Sequence, residues 1–329
     1  MSTSCIPGTR TGRHLPVPAA ESLPLSGLPR RTVAVSLLFV LLTACGRTPD
    51  NDQEFHDFVG MSSFTSTRGQ NHRSTAPLPR TIIPATRVRG WQEETRARLQ
   101  RIFDLEPVPE PSARVLERRI LPSGRAITRE LVIFRANDGT AIPAILQKPK
   151  SSGPVPGIVV FPGHTRTGES GLWQVVYGRA SYQHAAATRL AENGFATISF
   201  ELRGFGLLSE RGASDHVHVA YNALRAGSFY KRLVLEDAMT AFSLLVSEPG
   251  VDTRKLGATG ASLGGELAVT FAALLPRIRA IAFSSYGGTA GAFPLSSGLR
   301  AQQPHYCHII PGSGNYLRRE DMVLMLAPR

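Results

Sequence analysis

The residues best suited to chemistry lie in one run, Gly260-Ala261-Ser262-Leu263-Gly264. A short apolar segment, 256–260, precedes it, and a helix-forming segment, 263–275, follows directly. Gly-x-Ser-x-Gly between a strand and a helix is a nucleophile elbow. The spacing predicts Ser262 on a tight, strained turn, with its hydroxyl lifted above a sheet. Gly260 and Gly264 leave room where a Cβ would strike the adjoining strand or helix. The backbone N–H of Leu263, at the helix start, would face an oxyanion developing on a substrate. The chemistry would be acyl transfer through a covalent intermediate on Ser262. The bland alternative is an ordinary serine on a small-residue turn.

Two more loops leave the ends of predicted strands, where open α/β sheets place their sites. Phe161-Pro162-Gly163-His164-Thr165 follows the apolar run 158–161. Its backbone N–H at His164 is the candidate second oxyanion donor, and the His164 imidazole reads as loop packing. Glu201-Leu202-Arg203-Gly204-Phe205-Gly206 follows the strand 195–200. Glu201 and Arg203 are expected to pair and brace that loop. Asp237 reads as a structural hydrogen-bonding group inside a helix.

The elements that must position these residues are legible as a change of period. An amphipathic helix is predicted over 91–105, ended by Pro107, Pro109 and Pro111. Strands over 115–121, 129–135 and 141–146 follow, with an Asn137-Asp138-Gly139 hairpin signal between the last two. From Gly157 onward strands and helices alternate: strands over 158–161, 195–200, 256–260 and 280–284, helices over 182–193, 229–248 and 263–275. In the helix over 229–248, Leu235, Ala238, Met239, Phe242, Leu245 and Val246 form a stripe at helical spacing. A further helical stretch is expected over 318–325. The pattern defines an α/β fold with a mostly parallel sheet and an antiparallel N-terminal edge.

Composition narrows the function. The chain has 329 residues and a net charge of +12, of which residues 1–44 supply +3. Only four lysines occur (Lys148, Lys150, Lys231 and Lys255), so the basicity is scattered arginine, with no basic block interleaved with aromatics. That argues against a nucleic-acid partner. Arg30-Arg31 precede a 13-residue apolar run, 32–44, too short to span a bilayer and suited to a signal peptide. Leu42-Thr43-Ala44-Cys45 resembles a bacterial lipobox, which implies lipidation at Cys45 and a lipid-anchored, exported protein of the cell envelope. The organisation read from this is a lipoprotein signal peptide over 1–44, a flexible tether over 45–84 and a folded domain over 85–329. Cys307 is then the one thiol left in the mature chain. Cysteine and histidine spacing for a metal site is absent, and no cofactor is implied.

The order of Pro162-Gly163-His164, Arg203-Gly204-Phe205-Gly206, Glu236-Asp237, Val251-Asp252 and Gly260 to Gly265 resembles the α/β-hydrolases. Within them the chain is most similar to acetylxylan-esterase and dienelactone-hydrolase-like serine esterases, over about residues 88–329. The resemblance implies Ser262 as nucleophile, the amides of His164 and Leu263 as oxyanion hole, and a carbohydrate ester or another small ester as substrate. A prolyl-oligopeptidase-type peptidase on the same elbow is the second enzyme reading. A non-catalytic envelope binding protein on the same fold is the reading from another class.

The family triad runs serine, then acid, then histidine. After Ser262 the acids are Glu266, Glu320 and Asp321 and the histidines are His305 and His308, so no histidine follows Asp321. The resemblance thus leads to an expectation that the acid and histidine lie beyond Arg329. The fold would then lack its last strands, and this chain would be near-inactive.

Overall fold

The structure is a computed structural model that describes residues 83–105, 114–166, 168–209, 215–285, 306–311 and 319–327. The signal segment 1–44, Cys45, nearly all of the tether 45–84, and His305 lie outside the described residues. In chain order the strands are β1 (Val115–Ile120), β2 (Ile127–Arg135), β3 (Ala141–Pro149), β4 (Val155–Phe161), β5 (Ala196–Phe200), β6 (Val251–Ala261) and β7 (Ala280–Ser284). The helices are α1 (Val88–Phe103), α2 (Gly171–Val176), α3 (Ala186–Glu192), α4 (His216–Arg225), α5 (Tyr230–Ser247), α6 (Leu263–Leu274) and α7 (Arg319–Leu324).

The sheet order is β1-β2-β3-β5-β4-β6-β7. β1, β2, β3 and β5 are antiparallel to their neighbours in turn, whereas β5, β4, β6 and β7 run parallel. Only β1 and β3 therefore oppose the common direction, and the antiparallel edge is N-terminal, as the sequence predicts. The β2–β3 hairpin closes on Asn137-Asp138-Gly139. Asp138 Oδ1 accepts from Thr140 N at 3.0 Å, and Gly139 takes a φ of 90° that its missing Cβ permits.

β4 explains why its run is apolar without alternation. Val159 and Phe161 enter the large core, while Val160 enters a second core on the opposite face. A strand covered on both faces has no polar side. The large core takes Leu99 and Phe103 of α1, the stripe of α5 and all of the apolar length of α6. The second core takes Leu172, Val175 and Val176 of α2 and Ala187 of α3. Each large side chain so buried is worth roughly 1.5–3 kcal/mol.

Two expected elements shift, and two helices are added. The helix expected over 182–193 starts only at Ala186, because Ser181 to Ala185 form turns with φ near 50° at His184 and Ala185. Those turns free Tyr182 and Gln183 to reach the site. The sequence expectations include no helix over α2 or α4, although α4 buries His216, Ala220 and Ala223 at helical spacing. Strand β6 begins at Val251 rather than Leu256, with a register shift against β4.

Candidate active site

Ser262 sits between β6 and α6 with φ 57° and ψ −126°. A non-glycine residue held there carries about 1–3 kcal/mol of strain, and the surroundings show what imposes it. Ser262 N donates to Ser284 O of β7 at 3.0 Å, and Ser262 O accepts from Glu266 N at 3.1 Å to begin α6. All residues of α6 are buried, so the core on every side fixes where the helix starts. A Cβ on Gly264 would collide with the carbonyl oxygen of Phe161, and one on Gly260 with the carbonyl oxygen of Gly264. Both glycines are thus required by close backbone approach. The Leu263 amide lies in the first turn of α6, where no intrahelical acceptor exists.

The second loop is delivered by register. Phe161 of β4 pairs with Gly260 of β6, so Pro162, Gly163 and His164 leave the sheet beside the elbow. Gly163 N donates to Gln183 Oε1 at 2.7 Å, and Gln183 Nε2 donates to Gln174 Oε1 at 3.1 Å. Tyr182 Oη donates to His164 O at 2.7 Å, and its phenol lies near enough to Ser262 to feel that side chain. Burial pushes the Tyr182 phenol up to about 12, against the opposing effect of Ser262. At neutral pH it is therefore a protonated donor and cannot serve as a base. No spacing in the sequence marks Tyr182 or Gln183; their roles come from the turns before α3.

The third loop is braced differently from the expectation. Glu201 does not pair with Arg203. Its carboxylate accepts from Ser170 Oγ, Gly171 N (3.0 Å) and Leu172 N (3.3 Å), which pins the start of α2. Arg203 turns away and grips Asp237 of α5 with two bonds of 2.7 and 2.9 Å, while also holding Asp138 of the hairpin. Burial would lower the Arg203 guanidinium, but the two carboxylates raise it instead. Asp237 is the structural group the sequence predicts.

His308 and Glu266 meet each other: His308 Nδ1 contacts Glu266 Oε2, and Glu266 Oε1 accepts from Lys231 Nζ. Among the described residues, the backbone hydrogen bonds of Ser262 run to Ser284 O and Glu266 N. The structure thus brings Ser262, Leu263 and the His164 loop together, while Cys45 lies outside the described residues.

A mostly parallel sheet with a strained serine on a strand-to-helix turn defines the α/β-hydrolase fold. Residues 126–286, which include that turn, match the family model of acetyl xylan esterases (AXE1). The resemblance read from the sequence therefore holds. Among solved structures, a candidate acetyl xylan esterase of Bacteroides fragilis aligns with a TM-score of 0.62 at 17% identity, covering 74% of this chain and 66% of that one. Acetyl xylan esterase 1 from Thermoanaerobacterium sp. aligns with a TM-score of 0.43 at 20% identity, over 61% of this chain and 62% of its own. An acetyl xylan esterase from Paenibacillus sp. gives 0.40 at 19% identity, over 60% and 63%. The chain spans slightly less than two thirds of the length of these structures.

Proposed function

We propose that the protein is a serine carboxyl-ester hydrolase that removes acetyl groups from a carbohydrate ester. The observation that carries this reading is the strained Ser262 beside the His164 loop, inside the segment that matches acetyl xylan esterases. Ser262 Oγ attacks the ester carbonyl, the oxyanion is met by the amides of Leu263 and His164, and the alcohol leaves. Water then releases the acyl group from Ser262. No cofactor enters this scheme.

A serine hydroxyl is protonated at neutral pH, so the attack depends on a base that accepts its proton. Tyr182, whose phenol stays protonated at neutral pH, does not supply that base. A fluorophosphonate probe reads directly whether Ser262 is activated. Stoichiometric labelling at Ser262, with hydrolysis of p-nitrophenyl acetate and of acetylated xylan lost in Ser262→Ala, supports the reading. Cleavage of proline-containing peptides in place of acetyl esters overturns the substrate. A folded chain that neither labels nor hydrolyses any ester overturns the activity and matches the expectation of a near-inactive chain.

The proposed location is the cell envelope, with a lipid on Cys45. The order of Arg30-Arg31, the apolar run and Leu42 to Cys45 supports it. Mass spectrometry of the purified N-terminus tests it: a diacylglyceryl cysteine at position 45 is expected, and an unmodified Cys45 within a longer chain overturns it.

A further inference from the structure

Cys307 and His308 are neighbours in the sequence and His164 is far from both, so their spacing carries no metal-site signature. The fold nevertheless brings them together. His164 Nε2 and Cys307 Sγ are 3.4 Å apart across 143 positions of sequence. One ligating atom from each of the three residues lies within 4.8 Å of the other two. Tetrahedral zinc, with bonds of about 2.0–2.3 Å, sets its ligand atoms roughly 3.3–3.8 Å apart. Closing this cluster onto an ion needs side-chain shifts of about 1 Å or less.

The surroundings resemble what metal ligands require beyond the ligands themselves. Glu266 Oε2 holds His308 Nδ1, which fixes the ring and leaves Nε2 as the nitrogen to bind an ion. A carboxylate on the far nitrogen is the usual support of a metal-bound histidine. Lys231 Nζ bonds Glu266 Oε1 and the carbonyl oxygen of His308, at 2.8 Å for the latter, and so fixes both carboxylate and ligand backbone. Lys231 also offsets the charge of Glu266, whose contribution is therefore orientation more than attraction. The His164 ring lies 5.0 Å from His216, 5.3 Å from His308 and 5.8 Å from Phe205, which walls the cluster with rings. Cys307 is fully buried. Burial, and then the charge of Glu266, push its thiol up to about 12, and a dication would reverse that by taking the thiolate as ligand.

We propose that His164, Cys307 and His308 form a three-ligand site for a divalent transition metal of the zinc class, supported by Glu266 and Lys231. Two imidazoles and a thiolate suit zinc or cobalt(II) and disfavour magnesium and calcium, which take oxygen ligands. Three protein ligands leave one coordination position to water or an added ligand. Occupancy would clamp the loop carrying His164 to residues 306–311. Neither the site nor its test depends on Ser262 being a nucleophile.

The test is a cobalt(II) titration of the full chain carrying Cys5→Ser and Cys45→Ser, in which Cys307 is the only thiol. A thiolate-to-cobalt charge-transfer band, saturating at one equivalent and lost on adding zinc, is expected. His308→Ala should weaken cobalt binding at least tenfold, and zinc should raise the unfolding temperature of the parent chain. Absence of the charge-transfer band overturns the proposal. So does a band with the same affinity in a folded His308→Ala, or zinc leaving the unfolding temperature unchanged.

Discussion

Tyr182 Oη donates to the carbonyl oxygen of His164 at 2.7 Å, and its phenol lies near enough to Ser262 to feel that side chain. One phenol thus braces, beside the elbow, the neighbouring loop that carries the second oxyanion amide. Its role is positioning, because its pKa near 12 keeps the proton on oxygen. In Tyr182→Phe, labelling of Ser262 by a fluorophosphonate should slow roughly fivefold, the equivalent of one net hydrogen bond of about 1 kcal/mol. The pH profile of labelling should keep its shape, since no titrating base is removed. A profile whose apparent pKa moves would instead make Tyr182 a proton-transfer group.

Gly264 has no space for a side chain. A Cβ there meets the carbonyl oxygens of Phe161 and Pro162, which are backbone atoms of the strand end and the oxyanion loop. Backbone cannot rotate away as a flexible side chain can. Gly264→Ala should therefore destabilise by about 3 kcal/mol, the upper part of the usual range for overpacking, and should slow Ser262 labelling as well. Urea unfolding followed by circular dichroism measures the first effect. Wild-type stability in this variant would show that the α6 start is looser than its contacts indicate.

The strain at Ser262 has a stability signature of its own. Ser262→Ala removes the hydroxyl but keeps a Cβ at φ 57°. Ser262→Gly removes both. Glycine loses more entropy on folding, yet relief of strain of about 1–3 kcal/mol outweighs that. Ser262→Gly is expected to be more stable than Ser262→Ala by about 1 kcal/mol in equilibrium unfolding. The reverse order would mean that the turn is not strained.

Much of this architecture is legible in the chain because local signals agree with the tertiary outcome. The run 280–284 coincides with β7, and 263–275 differs from α6 by one residue. The stripe Leu235, Ala238, Phe242 and Leu245 is buried as its spacing predicts. The elbow is legible because its motif fixes both glycines, Gly260 against Gly264 within the turn and Gly264 against the end of β4. Glu201 and Arg203 show where such reading ends. Two residues apart on one loop, they invite pairing, but their partners lie at Ser170 and at Asp138 and Asp237, on elements that only the assembled sheet brings near. Tyr182 fails for a related reason: a helical pattern covers it, while the turns at His184 and Ala185 take it out of the helix. The His164, Cys307 and His308 cluster depends wholly on long-range closure.

Lys231 and Glu266 form a buried ion pair whose pH dependence can be read in advance. Both side chains are almost wholly buried, Lys231 on α5 and Glu266 on α6. Burial alone would raise the Glu266 carboxyl, but the Lys231 charge and the contact with His308 bring it down from 4.5 to about 2. The folded chain therefore binds fewer protons at this group than the unfolded chain does between those values. Its contribution to stability is complete above pH 5 and is lost as the pH falls from about 4.5 toward 2. Lys231→Met leaves Glu266 buried without its cation, at a cost of about 3–5 kcal/mol near neutral pH. That deficit should shrink on acidification, because the unpaired carboxyl takes up a proton more readily than before. Replacing both partners, as Lys231→Met with Glu266→Leu, should recover most of the loss, since no buried charge is then left alone. Urea unfolding of the three chains across pH 4 to 8 measures this. A Lys231→Met deficit that stays constant over that range would show that Lys231 acts through packing, and that Glu266 does not carry the charge assigned to it.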